Sequence, residues 1–246
     1  MDEKVFAPYG VELTFPEKVM QALEKLRDGK RVIKTMLSPE DMNSIGLCYW
    51  EGHIVPLDYK KAVKWYRYSA QQGNKVAEFN LYVCYNRGTG VEKDPQKALE
   101  WLRKAAKHGY PNAQDLLGEC YYTGDNVRRN RRIAKLWFDK AMRLALEQKR
   151  VVTLNSFGMK YQFGECGFEK DIERAIFFYE KAGESGLPLS MYILLSIYRN
   201  MVNVEKVEYW MNKLRNCRTV TKRNLEYEEK RYASFMEDVV GKSHLN

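Results

Sequence analysis

The sequence has no apolar run near the roughly 18 residues that a membrane-spanning helix needs. The longest stretch, Met191 to Tyr198, is short and interrupted by Ser196. Nothing at the start reads as a secretory leader: Met1-Asp2-Glu3-Lys4 carries acid where positive charge is required, and no uninterrupted apolar segment follows. The expected location is cytoplasmic, or that of an effector exported without a cleavable signal. Five cysteines form no CxxC pair, and an odd count in a chain of 246 residues argues against a disulfide framework. There are three histidines, no HExxH, no zinc-type spacing, no GxSxG and no GxxxxGK[ST]. Gly88-Thr89-Gly90 is too short for a phosphate loop. No catalytic, cofactor or metal residues are therefore assigned. His108 precedes Gly109 at a helix end, where a partly protonated ring meets the negative pole of the helix dipole. His53 sits in an inter-helix turn and His244 in the tail. Only 16 Gly and 7 Pro, with 45% apolar residues, exclude low complexity and global disorder.

What is present is a period. Tyr49, Tyr85 and Tyr121 are 36 residues apart, as are Ala62, Ala98 and Ala134, and Trp65, Trp101 and Trp137. Gly52, Gly88 and Gly124 keep the same phase, as do Asp58, Asp94 and Asn130. A fourth unit (Tyr161, Gly164, Asp171, Ala175, Tyr179) is shifted by four or five residues, which implies an insertion around Glu147 to Val152. A fifth, degenerate unit carries Tyr198, Val207 and Trp210, with a connection four residues shorter.

Asp94 followed by Pro95 reads as a helix N-cap and first helical position, and Gly109 as the left-handed residue that ends the helix. Between them Ala98, Trp101, Leu102, Ala105 and Ala106 fall at three- and four-residue spacing, one buried stripe. Ala77 to Tyr85 has the same spacing, and "NRGTGVEKD" joins the two helices. Each unit is a helical hairpin that cannot cover its aromatic stripe alone, so the hairpins must stack. The expected fold is all-α, a right-handed αα-solenoid superhelix of about five hairpins. Residues 38–217 form the array (38–74, 75–110, 111–150, 151–187 and 188–217). Residues 1–37 hold an N-terminal segment with a capping helix from Pro16 to Arg27. Residues 218–246 hold a C-terminal capping helix over Leu225 to Val239 and a tail.

Leu117-Gly118-Glu119-Cys120-Tyr121, Ile45-Gly46-Leu47-Cys48-Tyr49, the turn Gly88-Thr89-Gly90-Val91 and the stretch from Asp94 to Trp101 resemble the Sel-one-like repeat family, a subclass of the tetratricopeptide superfamily. The resemblance covers roughly residues 38–216. It implies a protein-binding scaffold or adaptor, with no single partner. The sequence departs from the family pattern where Tyr82 and Leu195 replace the small residue of the first helix. Some relatives carry two cysteines per repeat as disulfides and are linked to β-lactams. Here Cys48, Cys84 and Cys120 occur once per unit, on successive equivalent helices about a helix diameter apart, beyond disulfide reach. They are read as small buried thiols.

In solenoids of this kind the first helix of each hairpin lines the concave wall. Counting from Ile45, Leu81, Leu117, Phe157 and Leu194 as equivalent core positions places Asn43, Ser44, Leu47 and Trp50 on that wall in the first repeat. The second contributes Phe79, Asn80, Val83, Asn86 and Arg87, and the third Asp115, Leu116, Glu119 and Tyr122. Asn155, Ser156, Met159 and Phe163 follow in the fourth, and Tyr192, Ser196 and Arg199 in the fifth. Aromatic, Met and amide side chains suit a peptide or protein ligand; alternatively, several of them bury against the next repeat. The repeated Lys and Arg of a carboxylate clamp are missing.

Charge gives a second candidate. Between Val127 and Arg150, nine basic residues face only Asp139 and Glu147, an excess of seven of the total +9. Arg128, Arg129, Arg131 and Arg132 surround the N-cap Asn130, where helix-terminal N–H groups add positive potential. An anionic partner there (nucleic acid, phospholipid or acidic protein) is the alternative, set against a plain solvated loop.

Overall fold

In the computed structural model, which describes residues 5–7, 11–13, 16–30 and 32–243, the chain is helical apart from one two-stranded ribbon, Val5–Ala7 (β1) with Val11–Leu13 (β2). That ribbon was not anticipated from the sequence. His244 lies outside the described residues. Helix α1 (Glu17–Arg27) precedes five helical hairpins, and α12 (Lys222–Ser243) follows them. The hairpins are α2 (Pro39–Glu51) with α3 (Tyr59–Gln71), α4 (Lys75–Arg87) with α5 (Pro95–Lys107), and α6 (Pro111–Thr123) with α7 (Arg131–Glu147). Then come α8 (Val151–Phe163) with α9 (Ile172–Glu184), and α10 (Pro188–Asn200) with α11 (Val204–Arg215).

The repeat works through three local devices. First helices one to four end on left-handed glycines: Gly52, Gly88, Gly124 and Gly164. Each second helix starts with an Asx side chain accepting from the backbone N–H three residues on: Asp58, Asp94, Asn130, Asp171 and Asn203. The backbone N–H of that cap donates to the carbonyl of the repeated tyrosine in all five hairpins, at 2.8 to 3.0 Å from Tyr49, Tyr85, Tyr121, Tyr161 and Tyr198. The same bond closes turns of different length. The fourth turn holds one extra residue, with Cys166 and Gly167 at positive φ, and the fifth is cut to Met201, Val202 and Asn203. The remaining shift is an added turn of helix: α7 has 17 residues where its equivalents α3 and α5 have 13. The expected insertion near Glu147 is thus helix, not loop.

Residues 13–144 form one compact unit and residues 145–246 another, the division falling in that extra turn. Inside each hairpin the two helices meet at the eighth residue of both. At Gly46, Gly118 and Gly158 a methyl group would lie 2.6, 2.6 and 2.5 Å from the rings of Tyr66, Phe138 and Tyr179. The two hairpins that lack this glycine also lack the facing ring. Tyr82 faces the position of Leu102, and Leu195 that of Met211, both facing residues being fully buried.

The array ends are covered. Val19 and Leu23 of α1 are fully buried, and Lys18 reaches Asp41 at 2.6 Å, beside the capping box that Asp41 forms with Ser38. At the other end Arg199 of α10 pairs with Glu228 of α12 at 2.7 Å, both side chains below a tenth exposed, and Arg215 of α11 holds Glu229 in a fork of 2.7 and 2.9 Å.

Gly118→Ala is expected to lower the unfolding free energy by about 1–3 kcal/mol through overpacking. Combined with Phe138→Leu, it should cost clearly less than the two changes summed, a coupling readable in denaturant melts. Strict additivity would mean the ring does not rest on the glycine. Burial pushes the Asp41 carboxyl up, but hydrogen bonds from Lys18 and Ser38 outweigh it and leave the group below its ordinary 3.8. Its stabilising contribution is therefore full above 3.8 and is lost as the pH falls through the lowered folded value. Asp41→Asn should destabilise at neutral pH, with a difference from wild type that shrinks as melts are repeated below pH 3.8.

Candidate functional site

The first helices α2, α4, α6, α8 and α10 all have 13 residues, so equivalent positions can be counted from the first residue of each. The second, sixth, ninth and thirteenth residues share one stripe by helical geometry, and none of the twenty is buried. In the first unit this open stripe holds Ser44 and Leu47, then Asn80, Val83 and Arg87, then Leu116 and Glu119. In the second unit Ser156 and Ser196 lie on it between larger apolar groups: Met159 is 41% exposed, Phe163 58% and Leu189 46%. Val152 joins them, half open. Val152 and Leu189 escape a reading centred on the mid-helix core position, although the same periodicity extended by one turn reaches both.

The fifth position behaves differently, because within a unit it meets the element that follows. Asn43 accepts from Asn80 at 3.0 Å, and the Phe79 ring packs 5.1 Å from Tyr110. Asn155 is buried and accepts from Ser190 at 2.9 Å, and Asp115 is buried as well. Tyr192 takes a hydrogen bond with Asn224 of α12, and burial raises its hydroxyl pKa. Of the twelfth-position residues, Trp50 stacks edge-on against Tyr59 at 4.9 Å, Arg199 is held by Glu228, and Asn86 is exposed. Asn43, Phe79, Asn155, Tyr192 and Arg199 thus engage neighbouring helices, and α12 occupies the place a sixth first helix would take against α10.

At the start of α7 the structure joins what the sequence reading kept apart. Arg128, Arg129, Arg131 and Arg132 are all exposed. Arg129 Nε donates to the Tyr122 carbonyl at 3.0 Å, and the guanidinium groups of Arg129 and Arg131 lie 5.9 and 5.5 Å from the Tyr122 ring centroid. Tyr122 therefore belongs with the arginine cluster. Asn130 caps only the Ile133 N–H, by a neutral amide where three other second helices use a carboxylate. His108 is not isolated at its helix end either: Nδ1 lies 2.8 Å from the buried Glu78 carboxylate of the preceding helix.

Among the described residues no three His, Cys, Asp or Glu side chains gather as a metal site, and no helix is long and apolar enough to cross a membrane. The Sel1 repeat profile matches residues 39–74, 75–110, 111–145 and 158–187, more than half of the chain. A Sel1 repeat protein from Oxalobacter formigenes is 27% identical over 92% of this chain and 95% of its own, with a TM-score of 0.62. A protective antigen of uropathogenic Escherichia coli displaying an SLR fold is 23% identical over 79% of this chain and 44% of its own, with a TM-score of 0.52, a likeness of fold. No protein of curated function matches the sequence.

Of the repeated thiols Cys48 and Cys84 are buried, whereas Cys120, expected to be buried with them, is half-buried. Burial drives the Cys48 and Cys84 thiols up to about 12 and that of Cys120 to about 11. In native protein at pH 8, Cys48 and Cys84 are expected to alkylate at least about 100-fold more slowly than in unfolded chain, since the thiolate is the reactive form. Mass spectrometry of iodoacetamide-treated samples checks this, and modification at unfolded-state rates would contradict it.

Proposed function

As the chain belongs to the Sel1 repeat family, whose members are generally protein-interaction scaffolds, we propose that it is a non-catalytic adaptor taking a peptide or protein partner on the first-helix stripe of its hairpins. One observation carries this reading: Met159, Phe163 and Leu189 stay 41 to 58% exposed on a stripe that hairpin packing leaves uncovered, amid serines able to hydrogen-bond a partner backbone. In the first unit the corresponding stripe offers Leu47, Val83, Asn80, Arg87 and Glu119, a more polar lining. Side chains that bond the next helix in the stack, Asn155 to Ser190 and Arg199 to Glu228 of α12, border it. No reactive group is required, because affinity in such a surface comes from apolar anchors ringed by polar contacts.

A second reading is favoured by the seating of Arg129 and Arg131 on Tyr122. It assigns an anionic partner to the segment 128–150.

The test is crosslinking capture from native lysate with wild type, Met159→Glu/Phe163→Glu and Leu47→Glu/Val83→Glu chains of equal thermal stability. Loss of a wild-type partner with either pair, by about tenfold or more as expected for anchors worth over 1.4 kcal/mol, supports the stripe. Retention of every partner by both variants defeats it.

A further inference from the structure

Stacking brings together charges that are far apart in sequence. The second helices α3, α5 and α7 carry thirteen Lys and Arg against Glu100, Asp139 and Glu147, more than the whole chain's excess of +9, and every one of these residues is exposed. In the second unit α9 and α11 carry five basic and five acidic residues. The contrast is visible in one equivalent seam. Between α9 and α11, Tyr198 donates to Glu180 at 2.9 Å and Lys206 pairs with Glu180 at 2.9 Å, a neutral cluster. Between α3 and α5, Arg67 stands where Glu180 would and donates to Tyr85 at 2.8 Å, while Lys97 lies 6.0 Å from the same ring. Lys97 also bonds the cap Asp94 at 2.8 Å, so one carboxylate answers two cations. α5 and α7 are neighbours in turn, sharing the core cluster of Leu99 and Leu102 with Trp137.

From this we infer that the α3–α5–α7 face of the first unit is a docking surface for an acidic protein, rich in Asp and Glu. The inference rests on the second reading above and widens it from one arginine cluster to a face of roughly 20 Å by 20 Å, given 1.5 Å per helical residue and helix spacings near 10 Å. A nucleic acid fits less well. Three rings here are already covered by cations, Lys34 at 3.6 Å from Tyr68, Lys104 at 4.1 Å from Trp101 and Lys140 at 4.8 Å from Trp137, and Tyr59 packs edge-on against Trp50, which leaves little bare ring for base stacking. Asp58, Asp94, Glu100 and Asp139 interrupt the positive field, which a continuous phosphate row must cross and spaced carboxylates can avoid. Leu136, 56% exposed among the cations, asks for an apolar contact that a protein supplies.

The probe is a fluorescein-labelled 20-residue Glu/Asp peptide, measured by anisotropy at 50 mM salt beside a 20-base-pair DNA duplex. Lys64→Glu/Lys107→Glu/Lys135→Glu should weaken peptide binding at least tenfold. The charge-matched Lys170→Glu/Arg223→Glu/Lys230→Glu chain, altered in the second unit, should lose less than threefold. Circular dichroism checks that both variants fold. Equal losses in the two triple variants, tighter binding of the duplex than of the peptide, or no peptide binding overturn the inference. Loss only with Arg128→Glu/Arg129→Glu overturns the wider face while leaving the arginine-cluster reading in place.

Discussion

The contact on which this architecture turns is that of an aromatic ring in three of the five second helices against a first-helix residue that has no side chain. Two helices can approach closely only where volume is removed, and Gly46, Gly118 and Gly158 remove it beneath Tyr66, Phe138 and Tyr179. Once the pair is locked there, the Asx cap and its bond to the tyrosine carbonyl set the reversal, and the stripe that remains open is fixed by helical geometry. The second and fifth hairpins do without it, with Tyr82 opposite Leu102 and Leu195 opposite Met211.

That economy separates structural from available side chains. Within a unit a first helix spends one side on its partner helix and another on the next repeat, where Asn43 meets Asn80 and Asn155 meets Ser190. Only the narrow stripe between is left over. Where it is apolar, as around Met159 and Phe163, burial by a partner is the favourable outcome. The ends obey the same logic: a helix without a following repeat must be covered, and α12 does so with a buried arginine–glutamate pair, in which loss of one partner would strand a buried charge.

Charge follows a different rule from packing. Packing constrains the inward positions of the second helices and leaves the outward ones unconstrained, so α3, α5 and α7 differ from α9 and α11 in charge while sharing one fold. Counting along the chain finds the dense run from Arg128 to Arg150 and overlooks Lys64, Arg67, Arg103 and Lys104, which are dispersed through two earlier repeats. A 36-residue period turns that dispersal into proximity.

The hairpins, their caps, their number and the family resemblance were legible in the sequence, because a period of 36 with Asx before each second helix and Gly after the first helices of the first four repeats is local information. The burial of Cys48 and Cys84 followed from the same period. What required tertiary structure was the fate of residues at the edge between two faces. Asn155 and Arg199 border the open stripe on their helices, and what they meet is decided by the neighbouring helix that arrives, with Ser190 in one case and Glu228 in the other. Tyr122 joined the arginines for the same reason: a turn of seven residues folds back on itself, and no linear spacing states which side chain it will meet.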